Sequence, residues 1–234
     1  MMKNPYGTPD RPMYLIPTYS GKIVNVDTPR KDDIELIDIA HALSRICRWG
    51  AQGEWISVAA HSIAMARYAM KSKIFEKKDA LECLLHDAAE AYLGDTIGPV
   101  RRCLVAQEQR SVTGESSLSS TLECLHETMN FAIGNAFGLS GHETHYYDRS
   151  WETGHVSFAR GAVVVSLDQL AFKAEIVLGW GRKIWDMPPM TPELESMVSC
   201  VKRAMDIEDD GSPAGRTAIK CAFLRLFDEL KAAS

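Results

Sequence analysis

Hydrophobic positions recur every three or four residues along most of the chain. That period predicts helices over residues 33–49, 57–71, 79–93, 118–138, 155–179, 192–206 and 213–232. The exception lies near the start, where "YLIPTYSGKIVNV" carries β-branched and aromatic residues on both sides of Ser20-Gly21. A small β-hairpin over 14–26 is expected there. Asp79 followed by Glu82 reads as an Asp-initiated capping box, Gly94 suits a left-handed position after a helix, and Ser212-Pro213 opens the last helix. Residues 105–120, "VAQEQRSVTGESSLSS", are polar and aperiodic, which predicts a mobile surface insertion. The stretch 140–154, "SGHETHYYDRSWETG", is richer in aromatics and histidine. No Pro/Gly/Ser-rich linker divides the chain, so residues 1–234 are expected to form a single all-α bundle with a minor hairpin.

The segment "LLHDAAEAYLGD" (84–95) breaks the amphipathic routine. At 100° per residue, Leu81, Leu84, Leu85, Ala88, Ala91 and Tyr92 fill one arc, and Glu82, His86, Asp87 and Glu90 fill the other. A solvated polar stripe is the simpler account, but no Lys or Arg on that face neutralises the carboxylates. Two other helices offer partners. His61, in "SVAAHSIAMARYAM", is flanked at helical spacing by Val58, Ala64, Met65 and Tyr68. Asp168, in "VVVSLDQLAFKAE", shares a face with Val164, Val165, Phe172 and, two turns on, Glu175. An ionised carboxylate among valines is costly without a counter-charge. Two imidazoles and two carboxylates from three helices suit Mn, Fe, Co, Ni or Zn in a site with open positions, and facing helices of a bundle are a natural place to build one.

Composition narrows the partners. A net charge of −5 and a pI near 5.8 speak against a nucleic-acid polymer. No apolar run approaches the roughly 20 residues of a membrane span, and "MMKNPYGTPD" lacks the blocks of a signal peptide, so a cytoplasmic protein is expected. The six cysteines are scattered without a C-x-x-C pair and read as ordinary thiols.

The ordered set His61, His86-Asp87 and Asp168, with "HDAAEAYLGD" around the doublet, resembles the HD-domain metal-dependent phosphohydrolases. Within them it is most similar to the YfbR/YfdR-like nucleotidase branch. The likeness runs from "TYSGKIVNVDTPRKDDIELIDIAHALSRICRWG" through "SVAAHS" and "LLHDAAEAYLGDTIGPVRR" to "SLDQLAFKAE". It implies an HD-type helical bundle and one divalent metal ion (Mn, Co, Ni, Fe, Zn or Mg) held by His61, His86, Asp87 and Asp168. It also implies catalytic roles for Glu90 and Asp95, nucleotide contacts from Arg48-Trp49, and a homo-oligomer. The implied activity is hydrolysis of a small (deoxy)nucleotide, releasing either phosphate from a 5′-monophosphate or triphosphate from a deoxynucleoside triphosphate, as in phage-encoded relatives. The chain departs from the branch in carrying Ala60 before the first His, where Gln is common, and in the extra segment 105–120.

Residue chemistry is compatible with those roles. Glu90 lies about 40° from His86 around a helix and can orient or deprotonate a water, while Asp95, released by Gly94, can serve as a second acid/base group. On the predicted helix 33–49, Asp38, His41, Arg45 and Arg48 form one stripe, which makes His41, Arg45 and Arg48 candidate substrate contacts. A guanidinium fork matches phosphate oxygens, and Trp49 is placed to stack on a base or sugar. Two other readings stay in view. A different HD enzyme, cleaving an alarmone or cyclic dinucleotide, is disfavoured because "HDAAEA" has no Glu-Asp pair after the doublet. A binding module that has lost catalysis is disfavoured by the intact acidic residues. Other signals carry less. His126-Glu127 lacks the second His of a zincin, His142 and His145 sit in an aromatic loop with Tyr146, Tyr147 and Trp151, and Trp180 and Trp185 read as packing anchors.

Overall fold

A computed structural model of the protein describes residues 7–8, 11–12, 14–111, 121–139, 161–179, 188–208 and 211–232. Two short antiparallel pairs open it: β1 (Gly7–Thr8) with β2 (Arg11–Pro12), then β3 (Leu15–Pro17) with β4 (Ile23–Asn25), the latter in register Ile16 to Val24. The second pair is the predicted hairpin, and Gly21 at φ +89 closes its turn by donating to the Thr18 carbonyl at 3.1 Å. The rest is helical: α1 (Leu36–Leu43), α2 (Val58–Lys71), α3 (Lys77–Leu85), α4 (Glu90–Leu93), α5 (Gly98–Ser111), α6 (Thr121–Phe137), α7 (Ala162–Leu178), α8 (Pro192–Glu208) and α9 (Pro213–Lys231). The all-α expectation holds.

The α2 helix is the spine. Every residue from Val58 to Ala66 is buried, and α3, α7, α8 and α9 all pack on it. Ala59, Ala60, Ala64, Ala66 and Ala69 keep its surface narrow, which lets neighbouring helices approach closely. Ser57 caps it by accepting from the Ala60 amide at 3.1 Å, an arrangement worth about 1 kcal/mol. Ile63 and Met65 on α2, and Ile39, Leu43, Leu84, Met129, Met197 and Phe223 on other elements, are fully buried, each contributing roughly 1.5–3 kcal/mol relative to exposure.

Three predicted elements change shape. The expected helix 33–49 ends at Leu43, because the following segment pairs with residues 56–58 instead: Arg48 N donates to Ile56 O at 2.9 Å and Val58 N to Ile46 O at 3.0 Å. A 3-10 turn, Arg48–Ala51, follows, with Trp49 and Ala51 at positive φ. The expected helix 79–93 is two helices. Its start is capped reciprocally by Glu76 and Asp79, so Asp79 is the inner partner of the box and not the cap. It stops at Leu85, where His86 Nδ1 takes the Cys83 carbonyl at 2.7 Å, the acceptor that an α-helix would give to the Asp87 amide. Tight i→i+3 bonds then carry the chain to α4, and Gly94 ends it at φ +79 with an extended ψ of 159. Finally, α5 runs through Ser111, so 105–111 is helical where a loop was predicted. Ala106, Gln107, Glu108, Gln109 and Arg110 are strong helix formers, and polarity alone disguised them. Residues 112–120 lie outside the described ones, as do 118–120 and 155–160 of two predicted helices.

Candidate metal and substrate site

His61, midway along the fully buried stretch of α2, has its two ring nitrogens engaged on opposite sides. Nδ1 lies 2.7 Å from Glu175 Oε1, and Nε2 lies 3.2 Å from Asp168 Oδ1. His86 sits where α3 ends, its Nδ1 on the Cys83 carbonyl and its Nε2 2.9 Å from Asp87 Oδ2. The two imidazoles are 5.3 Å apart, centre to centre. Donor atoms of His61, His86 and Asp168 all lie within 4.8 Å of one another. Because an oxygen holds Nδ1 of each ring, the neutral tautomer carries its proton there and its lone pair on Nε2, toward the shared space. That is the usual outer-shell arrangement of a metal-binding histidine.

The charge state fits as well. Burial alone would raise the Asp168 carboxyl, but its bond to His61 and the charges of His61 and His86 bring it down to about 2. Burial and Arg48 act to lower His61, and Glu175 and Asp168 overcome them, leaving the imidazole above its ordinary 6.5 without an ion. Two nitrogens and an ionised carboxylate suit a divalent transition ion and leave coordination positions open. Asp87, buried and adjacent, is the fourth predicted ligand. Its Oδ2 adjoins His86 and lies 3.6 Å from Arg48 Nη1, and it stands beside the 4.8 Å group of three.

Sequence reasoning placed Glu175 on the Asp168 face and gave it no role. It is fully buried, and besides His61 it accepts from Trp49 Nε1 at 2.8 Å and lies 3.1 Å from Arg48 Nε. Burial works to raise Glu175, yet Arg48, His61 and Trp49 hold it below the usual carboxylate range. Burial likewise works against the Arg48 guanidinium, and Glu175, Asp87, Asp168 and Glu90 more than offset it. Trp49 is turned toward α7, stacked on Phe172 at 5.0 Å, so its indole is committed to packing and to Glu175.

A cavity of about 190 Å³ opens beside the cluster, lined by Arg48, His86, Asp87, Glu90 and Asp168 on one set of elements and by Thr96, Gly98, Arg101 and His126 on another. Glu90 therefore faces the space next to the donors. Asp95 is half-buried. Burial pushes its carboxyl above the ordinary value, with Arg48 opposing and Asp87 adding to it. His41 and Arg45 are elsewhere. With α1 ending at Leu43, the predicted stripe does not exist. His41 instead lines a separate cavity of about 380 Å³ with Tyr19, Asp38 and Tyr92, stacked on Tyr19 at 3.8 Å. Arg45 is exposed and donates to the His41 carbonyl at 2.8 Å. Arg101 and His126 were missed as site residues; Arg101 lies in "PVRR" (99–102), which nothing in the sequence ties to the cluster. His142, His145, Tyr146, Tyr147, Trp151, Trp180 and Trp185 lie outside the described residues.

Among the described residues, no helix is long and apolar enough to cross a membrane. No protein-family model matches the chain. It is similar to the uncharacterized protein YfdR of Escherichia coli (strain K12), with 41% identity over 93 residues, 39% of this chain and 49% of that protein. It is also similar to an uncharacterized protein of Rhodobacter capsulatus, with 38% identity over 89 residues, 36% of this chain and 45% of that protein. The chain thus spans about half the length of the curated relatives it matches. Arg48 and Glu175 are 127 positions apart, further than the 93 aligned residues reach, so the likeness to YfdR covers part of the site only.

Proposed function

We propose that the protein is a metal-dependent phosphohydrolase of the HD type, acting on small nucleotides. The observation that carries this reading is the convergence of His61, His86 and Asp168 donors within 4.8 Å, beside a polar cavity that also holds Arg48 and Glu90. His61, His86 and Asp168 would hold one divalent ion, with Asp87 as fourth ligand. Such an ion supplies Lewis-acid chemistry, polarising a phosphoryl oxygen and making a water nucleophilic near neutral pH.

The protein's own groups do the rest. Glu90, beside the donors and outside the ligand set, takes the proton of the attacking water. For Asp95, which is half-buried and does not line the cavity, the second acid/base role rests on the family resemblance. Arg48 balances the carboxylates around the cluster, and Glu175 fixes the His61 tautomer. Phosphoryl transfer depends on positioning and charge stabilisation more than on covalent chemistry, which agrees with a cavity whose lining, among the described residues, holds no Ser or Cys. We place the enzyme in the cytoplasm as a homo-oligomer.

The test pairs elemental analysis of unchelated protein with a panel of nucleoside mono- and triphosphates, cyclic dinucleotides and an alarmone, assayed with Mn, Co and Mg. A bound ion and turnover of a mono- or triphosphate are expected. A metal-bearing protein that turns over none of them would be a binding module, and turnover confined to cyclic dinucleotides or alarmones would redirect the assignment.

A further inference from the structure

We propose that the cavity between the β3–β4 hairpin, α1 and α4 is a second ligand site, separate from the metal cluster. It takes a small uncharged molecule with an amide-type carbonyl and N–H on an apolar frame. Such a site stands apart from the hydrolase reading. The cavity shares no lining residue with the one beside the cluster, although α4 borders both: Glu90 lines the first, and Ala91 and Tyr92 line the second. Its volume of about 380 Å³ lies in the range usual for small-molecule pockets, roughly 300–1,000 Å³.

Two polar side chains in its wall lack the partner their chemistry calls for. Tyr92 is only 7% exposed, and its buried hydroxyl has no acceptor; the Glu35 amide bears on the oxygen alone. Burial pushes that hydroxyl up and Asp38 adds to it, so it keeps its proton as a donor. His41 Nδ1 is likewise buried and unbonded, in a ring stacked on Tyr19. Burial, Arg45 and Lys220 lower His41 against the pull of Asp38, so the ring is neutral near pH 7. With its proton on Nε2, a neutral imidazole offers Nδ1 as an acceptor. A ligand that supplies the complement of each relieves two unmet buried groups at once. The rest of the lining decides against charge. Among the described residues it holds no Lys or Arg, and Arg45 and Lys220 stand outside it. Its one carboxylate, Asp38, accepts on one oxygen from the Ser20 amide at 2.6 Å and on the other from the Ser20 hydroxyl at 2.8 Å. An anion would therefore meet a carboxylate and no cation, and a cation would have to compete with the bonds that hold the hairpin turn. Ile16, Pro17, Ala42 and Ala91 supply apolar wall. A wholly apolar ligand would leave Tyr92 and His41 unmet. An amide answers both, its carbonyl accepting from Tyr92 and its N–H donating to His41 Nδ1.

Titration of benzamide, N,N-dimethylbenzamide, benzoate and benzylammonium into protein with isotope-labelled alanine methyl groups, followed by NMR, tests this on wild type, Tyr92→Phe and His41→Phe. Benzamide should move the Ala42 and Ala91 signals saturably, with a Kd below about 10 mM, and more than that of Ala89, which lines the other cavity. Benzoate and benzylammonium should bind at least threefold more weakly. Tyr92→Phe should lose at least threefold for both amides, with a melting temperature no lower than wild type, because the hydroxyl removed had no acceptor. A hydroxyl with only a structural role would give the reverse: a lower melting temperature and unchanged binding. His41→Phe keeps a ring against Tyr19 and should lose at least threefold for benzamide but not for N,N-dimethylbenzamide, which has no N–H to give. No saturable shift at Ala42 and Ala91, a charged probe bound within threefold of benzamide, or either variant within threefold of wild type for benzamide would each overturn the proposal.

Discussion

Glu175→Gln is the sharpest probe of the site, because it keeps shape and removes charge. Glu175 is fully buried, and its two oxygens serve different donors, His61 Nδ1 at 2.7 Å on Oε1 and Trp49 Nε1 at 2.8 Å on Oε2. A glutamine offers one oxygen and one NH₂, so it satisfies one donor and confronts the other. If Trp49 keeps the oxygen, His61 must present Nδ1 as an acceptor and move its proton to Nε2, the atom facing Asp168. The lone pair for a metal is then gone. An unsatisfied buried donor costs about 1–3 kcal/mol, and Arg48 also loses its nearest counter-charge, though Asp87 remains; a stability loss of about 3–5 kcal/mol follows. Metal affinity should drop about 10–100-fold, the usual effect of removing an outer-shell partner, or about 1.4–2.7 kcal/mol of binding. Urea unfolding of metal-free protein reads the first number, and competition with a chromophoric chelator reads the second. A Glu175→Gln protein within threefold of wild type in metal affinity and within about 1 kcal/mol in stability would refute the argument.

Other consequences are as direct. Glu90→Gln should retain the ion and lose about 100-fold or more in kcat, as removal of a general base does; metal content and turnover measured on one sample decide it. His86→Ala and Asp168→Ala should instead lose the ion itself, which elemental analysis detects. In chelated protein, His61 is raised above its ordinary 6.5, so the stability it contributes is complete below pH 6.5 and drains away as pH rises through the raised value. Asp168, lowered from 3.8 to about 2, contributes above pH 3.8 and fades as pH falls toward 2. The melting temperature of metal-free protein should therefore fall as pH rises above 6.5, and a rise there in EDTA would contradict the electrostatic account. Gly211→Ala places a Cβ 2.4 Å from Trp55 Cδ2 at a residue with φ +81, and should cost about 2–4 kcal/mol with a shift in Trp55 emission.

That His61, His86 and Asp168 would meet was legible in sequence: His61 and Asp168 sit at helical spacing in apolar settings where their chemistry is out of place, and His86 lies on a polar stripe with no Lys or Arg to neutralise its carboxylates. Glu175 was half legible: its face was visible, but its acceptor role depends on Trp49 and Arg48 arriving from a segment whose shape was not. The stripe of His41, Arg45 and Arg48 obeys helical spacing perfectly and still fails. The hydrogen bonds from 46–48 to 56–58 are tertiary and leave no periodic trace. The break at His86 is similar in kind, since a side chain usurps a backbone acceptor within its own helix. Arg101 was hidden for another reason. Nothing about one arginine on a polar helix announces which cavity that helix will border.

The left-handed run at Trp49 (φ 60), Gly50 (φ 60) and Ala51 (φ 58) bends the chain at a cost of about 1 kcal/mol or more for each non-glycine residue. Local backbone bonds, Arg48 N to Ile56 O at 2.9 Å and Gln52 N to Trp49 O at 3.3 Å, hold part of that bend. The side chains it presents are met by Glu175, on a helix more than a hundred positions downstream. Until α7 docks, Trp49 Nε1 and His61 Nδ1 lack the carboxylate that orients them. On the proposed reading, capture of an ion would therefore report that residues 48–61 and 168–175 have come together.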